Sequence, residues 1–186
     1  MARLILLLSF FSLASCTATI HPPAAVVEPS TVILFTHGIS SSLVLADEPG
    51  RAVRFAYGDW DYYALNKDSA WNAMAALFWP TPSGLGRQVI EGAANDPPAL
   101  IRQFGIGYDE VFLFDVERDA VTRLRTRLES FFGEALDNPE VRLEFVPHPD
   151  RYSIFNHSNM AIVRWLRELG ARVPAMPLLP RYRAGD

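Results

Sequence analysis

A late stretch, Tyr152–Gly170, passes from a polar turn into an apolar-periodic helix that stops at a glycine. The helix is expected from about Asn159 to Leu169, with Gly170 as its C-terminal cap. Anything at its mouth, beside Asn156-His157-Ser158-Asn159, sits in the field of its dipole and near its free N–H groups. An earlier stretch, Thr36–Ser42, is the most plausible partner for that mouth.

The rest of the chain supplies strands and further helices. Thr31–Thr36 is β-branched and apolar, a buried strand broken by His37-Gly38. Leu43–Leu45 resumes as a second strand or the far side of a hairpin, Asp47–Gly50 turns, and Val53–Tyr57 alternates as a strand ended by Gly58-Asp59. A helix is expected over Asp68–Trp79, with Asp68 or Ser69 as cap, stopped by Pro80–Gly84. Gly86–Gly92 is ambiguous. Asp96-Pro97-Pro98 opens a helix to about Phe104, Gly105–Tyr108 turns, and Glu110–Val116 is a strand. Asp119–Phe132 is the clearest amphipathic helix, and its arginines Arg123, Arg125 and Arg127, with Arg118 before it, read as a solvated face. Val141–Val146 is a strand ended by Pro147-His148-Pro149, and Pro174–Pro180 is extended. Strands and helices mix without a βαβ rhythm, and neither a repeat nor a second boundary is visible, so a single α+β domain is expected.

The N-terminus carries the most specific signal. Met1-Ala2-Arg3 precedes the apolar run Leu4–Leu13, which has the length of a signal h-region and is too short to span a bilayer. Leu13-Ala14-Ser15-Cys16 resembles the lipobox of bacterial lipoproteins, which implies cleavage after residue 15 and lipidation of Cys16. Cys16 is the only cysteine, so no intramolecular disulfide can form. Thr17 in place of an aspartate after the cysteine favours the outer membrane, with the domain on the periplasmic face. Residues 16–30, holding Pro22, Pro23 and Pro29, are expected as a tether, and residues 31–186 as the domain. The membrane, through the lipid, is thus one partner. A net charge of −4 argues against nucleic acid.

Several residues are candidates for chemistry. Ser158, at a helix mouth, needs a base to act as nucleophile; His157 is adjacent in sequence, and His37 at a strand end is the better placed. Ser158 or Asn159 is equally an N-cap, His37 equally a satisfied strand-end histidine, and Ser40–Ser42 a polar turn. Gly58-Asp59-Trp60-Asp61-Tyr62-Tyr63 is a candidate cleft loop, or an aromatic plug with Asp59 capping a turn. No metal or other cofactor is expected, because the histidines lack paired ligand spacing.

Three segments carry a family resemblance: Val32–Leu45 with its glycine turn, Phe55–Tyr63 with its Gly-Asp-aromatic loop, and Tyr152–Gly170. In that order the chain resembles domain-of-unknown-function family 2459, whose members are often envelope lipoproteins. The last segment is also similar to the end of permuted papain-like, NlpC-type domains. That likeness implies an antiparallel sheet packed against helices, with a histidine early and a Cys-Asn pair late, serving a hydrolase or acyltransferase. The family's Cys-Asn falls on Ser158-Asn159, and its Gly-Trp-His-Thr falls on Gly38-Ile39-Ser40-Ser41. Both reactive positions are therefore serines. The resemblance implies a non-catalytic binding or structural module on a degenerate hydrolase scaffold, with an envelope peptide or glycan held in the old cleft. The alternative is a periplasmic hydrolase or acyltransferase using Ser158 with His37 or His157.

Overall fold

Apolar alternation along the strands builds a seven-stranded, wholly antiparallel sheet among the described residues. The structure is a computed structural model describing residues 17–47, 50–67, 79–91, 97–103, 105 and 107–185. The strands are β1 (Ala18–Ile20), β2 (Pro29–His37), β3 (Ser40–Ala46), β4 (Arg51–Asp59), β5 (Thr81–Glu91), β6 (Val111–Glu117), β7 (Leu136–Asn138), β8 (Leu143–Tyr152) and β9 (Tyr182–Ala184). The helices are α1 (Pro97–Gln103), α2 (Arg118–Glu129) and α3 (Ser158–Glu168), and a single π-turn covers Trp60–Ala64. The sheet order is β6–β2–β3–β4–β5–β8–β7, and β1 pairs in parallel with β9.

Register assigns the two faces. Leu34 opposes Leu43, and Leu43 opposes Phe55; this side packs under α2 and α3, with Val121, Leu124, Ile162 and Leu166 in one core. On the other face Ile33, Phe35, Val44 and Ile90 meet Leu100 of α1, while Leu143 and Phe145 lie under the π-turn. The α+β architecture and single domain expected from the pattern are what forms. Gly170 closes α3 at φ +89°, with Gly170 N–H donating to Arg167 O (3.0 Å) and Ala171 N–H to Leu166 O (3.0 Å). These are the paired bonds of a Schellman cap.

Some boundaries differ from expectation. The segment expected as a terminator and an ambiguous stretch, Pro80–Gly92, contains the eleven-residue strand β5. β8 runs through Pro147 and Pro149 instead of ending there. β7 pairs only with Leu143–Phe145, so beyond Phe145 the outer edge of β8 needs no N–H donors from a described strand. Its register with β5 also slips between Thr81 and Ser83, which absorbs the second proline in a bulge. The expected tether is partly structured: Ala18 and Ile20 are core residues paired with β9, and Pro29 starts β2. Helix α2 stops at Glu129, short of Phe132. Its arginines are not simply solvated, since Arg125 pairs with Asp47 (2.5 Å) and Arg127 with Glu168 of α3 (2.8 Å). The expected helix over Asp68–Trp79 and the lipobox with Cys16 lie outside the described residues, save for Trp79 itself.

Candidate functional site

A cavity of about 540 Å³ opens on the sheet face away from α2 and α3. It exists because small residues occupy the middle of that face. Ser42 opposes Ala56, Ala56 opposes Gly86, and Gly58 opposes Gly84. Flanking side chains stay large and form walls: Tyr62 and Tyr63 from the π-turn, Leu143 and Phe145 from β8, and Val141. Two glycines let the walls lie against the sheet. A Cβ on Gly84 would stand 3.0 Å from Trp60, and one on Gly86 2.7 Å from Phe145. Asp59 fixes the π-turn by accepting from Tyr62 N–H (2.9 Å) and from the Thr81 hydroxyl. The hairpin β2–β3 turns through Gly38-Ile39, with Gly38 at φ +54°, a conformation that glycine adopts without a steric penalty.

A polar chain runs across one side of the cavity. His37 Nδ1 lies 2.9 Å from Gly107 O, and its Nε2 lies 2.9 Å from Ser42 Oγ. A carbonyl only accepts, so Nδ1 carries the proton and, in the neutral ring, Nε2 accepts from the Ser42 hydroxyl. Ser42 Oγ in turn accepts from Arg54 Nε–H (3.1 Å). Burial, opposed by the Gly107 bond and aided by the Arg54 charge, lowers the His37 pKa to about 4, so the neutral ring persists at pH 7. Arg54 is 3% exposed and also donates to Val141 O (3.0 Å) and Gln88 Oε1 (3.3 Å). Burial brings its pKa down to about 9, which leaves it cationic at neutral pH.

The residues singled out in the sequence divide between the two faces of the sheet. His37, Gly38, Ser40, Gly58 and Tyr63 line the cavity. Ser158, Asn159 and His157 are buried on the opposite side, at the start of α3. Asn159 is a clamp: it accepts from Ser41 Oγ (2.9 Å) and donates to Ile39 O (3.1 Å) and Leu178 O (3.0 Å). It thereby joins the two stretches Thr36–Ser42 and Asn156–Asn159. His157, not Ser158 or Asn159, is the N-cap residue, and it makes no side-chain cap bond. Its Nε2 is buried without a hydrogen-bond partner among the described residues. No hydrogen bond joins Ser158 to a histidine among the described residues; His37 instead bonds Ser42. Asn156 donates to Tyr57 Oη (2.8 Å) and Arg151 O (2.7 Å), which locks the turn before α3.

Sequence reasoning passed over Ser42 as turn polarity and did not single out Arg54. The available signal was Arg54 itself, a lone cation in the alternating run Val53–Tyr57. Among the described residues no three of His, Cys, Asp and Glu group as a metal set. No described helix is long and apolar enough to cross a membrane. No family model, curated protein or solved structure matches the chain.

Proposed function

We propose that this chain is a lipid-anchored envelope protein that binds a small ligand in the open-face cavity without catalysing a reaction. The observation that carries the binding reading is the cavity: concave, walled by aromatic and aliphatic side chains, with a few fixed polar groups at one side. A peptide or glycan fragment of the envelope suits it, since sugar and peptide faces pack on tyrosine rings while hydroxyl and amide groups need buried partners. Anchoring rests on Leu4–Leu13 and the lipobox at Cys16, and the outer membrane on Thr17. A permuted NlpC-type order, in the manner of domain-of-unknown-function family 2459, is supported by the contact between the early hairpin and the start of α3 through Asn159.

The non-catalytic part rests on two serines. Ser42 is fully buried, and its oxygen already accepts from Arg54. Ser158 is buried on the far face with no histidine bonded to it among the described residues. An activated nucleophile needs both a base in reach and a path for substrate.

N-acetylmuramyl-L-alanyl-D-isoglutamine is a suitable probe, carrying both sugar and peptide. At about ten times its Kd it should raise the melting temperature by roughly 3–5 °C. Ala56→Phe, which fills the cavity floor, should abolish the rise. No rise in the wild type, or an equal rise in Ala56→Phe, overturns this reading of the site. Fluorophosphonate labelling tests the competing hydrolase. Labelling lost in Ser158→Ala would establish catalysis at Ser158 with His37 or His157, and labelling lost only in Ser42→Ala would move the nucleophile into the cavity.

A further inference from the structure

Three exposed apolar side chains share one edge of the sheet. Ile39 (60% exposed) caps the β2–β3 hairpin, Trp79 (73%) precedes β5, and Phe155 (80%) follows β8. Register puts them on the same edge, because His37 opposes Ser40, Ser42 opposes Ala56, Asp59 opposes Ser83 and Thr81 opposes Tyr152. From β3 to β8 are three strand spacings, so the tips span roughly 15 Å. The backbone beside Trp79 and Phe155 is tied down: Arg151 donates to Pro80 O (2.8 Å), and Asn156 donates to Arg151 O (2.7 Å). Trp79 and Phe155 are the most exposed aromatic residues among those described.

The first described residues, Thr17 and Ala18, start beside this same edge. The Asn159 amide bonds both Ile39 O (3.1 Å) and Leu178 O (3.0 Å), and Ala18 N–H donates to Arg181 O (2.8 Å). Leu178 and Arg181 are only about 10 Å apart along extended chain. Thr17 is exposed, and the residue before it is Cys16.

We propose that this edge is a second membrane contact, with Trp79, Phe155 and Ile39 seated in the interfacial layer of the bilayer that holds the Cys16 lipid. The inference rests on the anchored reading given above. A tryptophan favours the headgroup level, where its ring is half apolar and its N–H stays hydrated. A short link between lipid and domain makes the edge face the bilayer, and side chains on a tied backbone then add burial to the lipid's. The cavity lies beside this edge, with Ile39 on its rim, so docking would aim its mouth along the membrane surface.

The full chain, reconstituted in phosphatidylcholine vesicles brominated near the headgroup end of the acyl chains, provides the test. Bromine should quench tryptophan emission in the wild type, and Trp79→Phe should remove most of that quenching. Phe155→Ser with Ile39→Ser should weaken it while the chain still floats with the vesicles. Equal quenching in wild type and Trp79→Phe, with an acyl mass on Cys16, overturns the edge contact and leaves the anchor standing. Quenching with no acyl mass on Cys16 keeps the edge contact and removes the anchor. Loss of both overturns both. A dimer in vesicle-free sedimentation that dissociates in Trp79→Phe would assign the edge to a second copy and overturn the membrane contact.

Discussion

Asn159 ties the start of α3 to segments far away in the chain. Its amide makes three hydrogen bonds, to Ser41 and Ile39 in the β2–β3 hairpin and to Leu178, so two distant parts of the chain meet at one side chain. Asn159→Ala leaves two carbonyls and a hydroxyl without their partner, and each loss costs about 1 kcal/mol or more. The expected loss of stability is roughly 2–4 kcal/mol, measured as a lower urea midpoint at unchanged slope. Asn159→Asp should be at least as damaging, because a carboxylate would face two carbonyl oxygens. Ser158→Ala, whose hydroxyl caps nothing, should cost under about 1 kcal/mol. An equal loss in Ser158→Ala and Asn159→Ala would contradict the clamp. The importance of this position was legible in the sequence, as a polar residue at a helix start. Its role was not, because a clamp depends on what two distant segments offer.

At the level of elements, the sheet owes its cavity to the residues that make β5 hard to recognise. Thr81–Glu91 contains Pro82, Gly84 and Gly86, all depleted in strands, so its local pattern suggests a terminator. Those glycines are where Trp60 and Phe145 lie down on the sheet. The same circumstance hid Arg54. Alternation correctly turns its side chain away from Phe55, but the far face is itself covered by α1, the π-turn and the segment at Val141. An outward residue on a doubly covered sheet is a buried one. Gly86→Ala tests the dependence of the cavity on β5. Its Cβ would meet Phe145 at 2.7 Å and Leu143 at 3.0 Å, so both wall residues must move. Overpacking of this kind costs about 1–3 kcal/mol. Binding of the muramyl peptide should weaken along with stability, whereas Gly133→Ala, where a Cβ meets nothing within 4 Å, should leave binding unchanged. Unaltered binding in Gly86→Ala would separate the cavity from these walls.

For the molecule as a whole, the α+β class was legible because long amphipathic segments such as α2 and α3 keep their period wherever they pack. The distribution of polar groups between the two faces was not, and it gives the fold an acid sensitivity. Two histidines are held neutral on opposite sides of the sheet. Burial lowers the pKa of His157 to about 4, with a further push from the Arg164 charge, and burial also lowers that of His37 to about 4. Their folded pKa values lie below the ordinary 6.5, so between about pH 6.5 and pH 4 the unfolded chain binds more protons than the native one. Stability should therefore be unaffected by these groups above that window, fall as pH drops through it, and fall no further from this cause below about pH 4. His157 separates the effect from carboxylate titration, since its Nε2 has no hydrogen-bond partner to lose among the described residues. Between about pH 7.5 and about pH 4.5, the wild type should lose about 2–3 kcal/mol more than His157→Gln in urea unfolding. Parallel losses in the two proteins would mean that the imidazole is free to protonate in the native fold, and that α3 begins in contact with solvent.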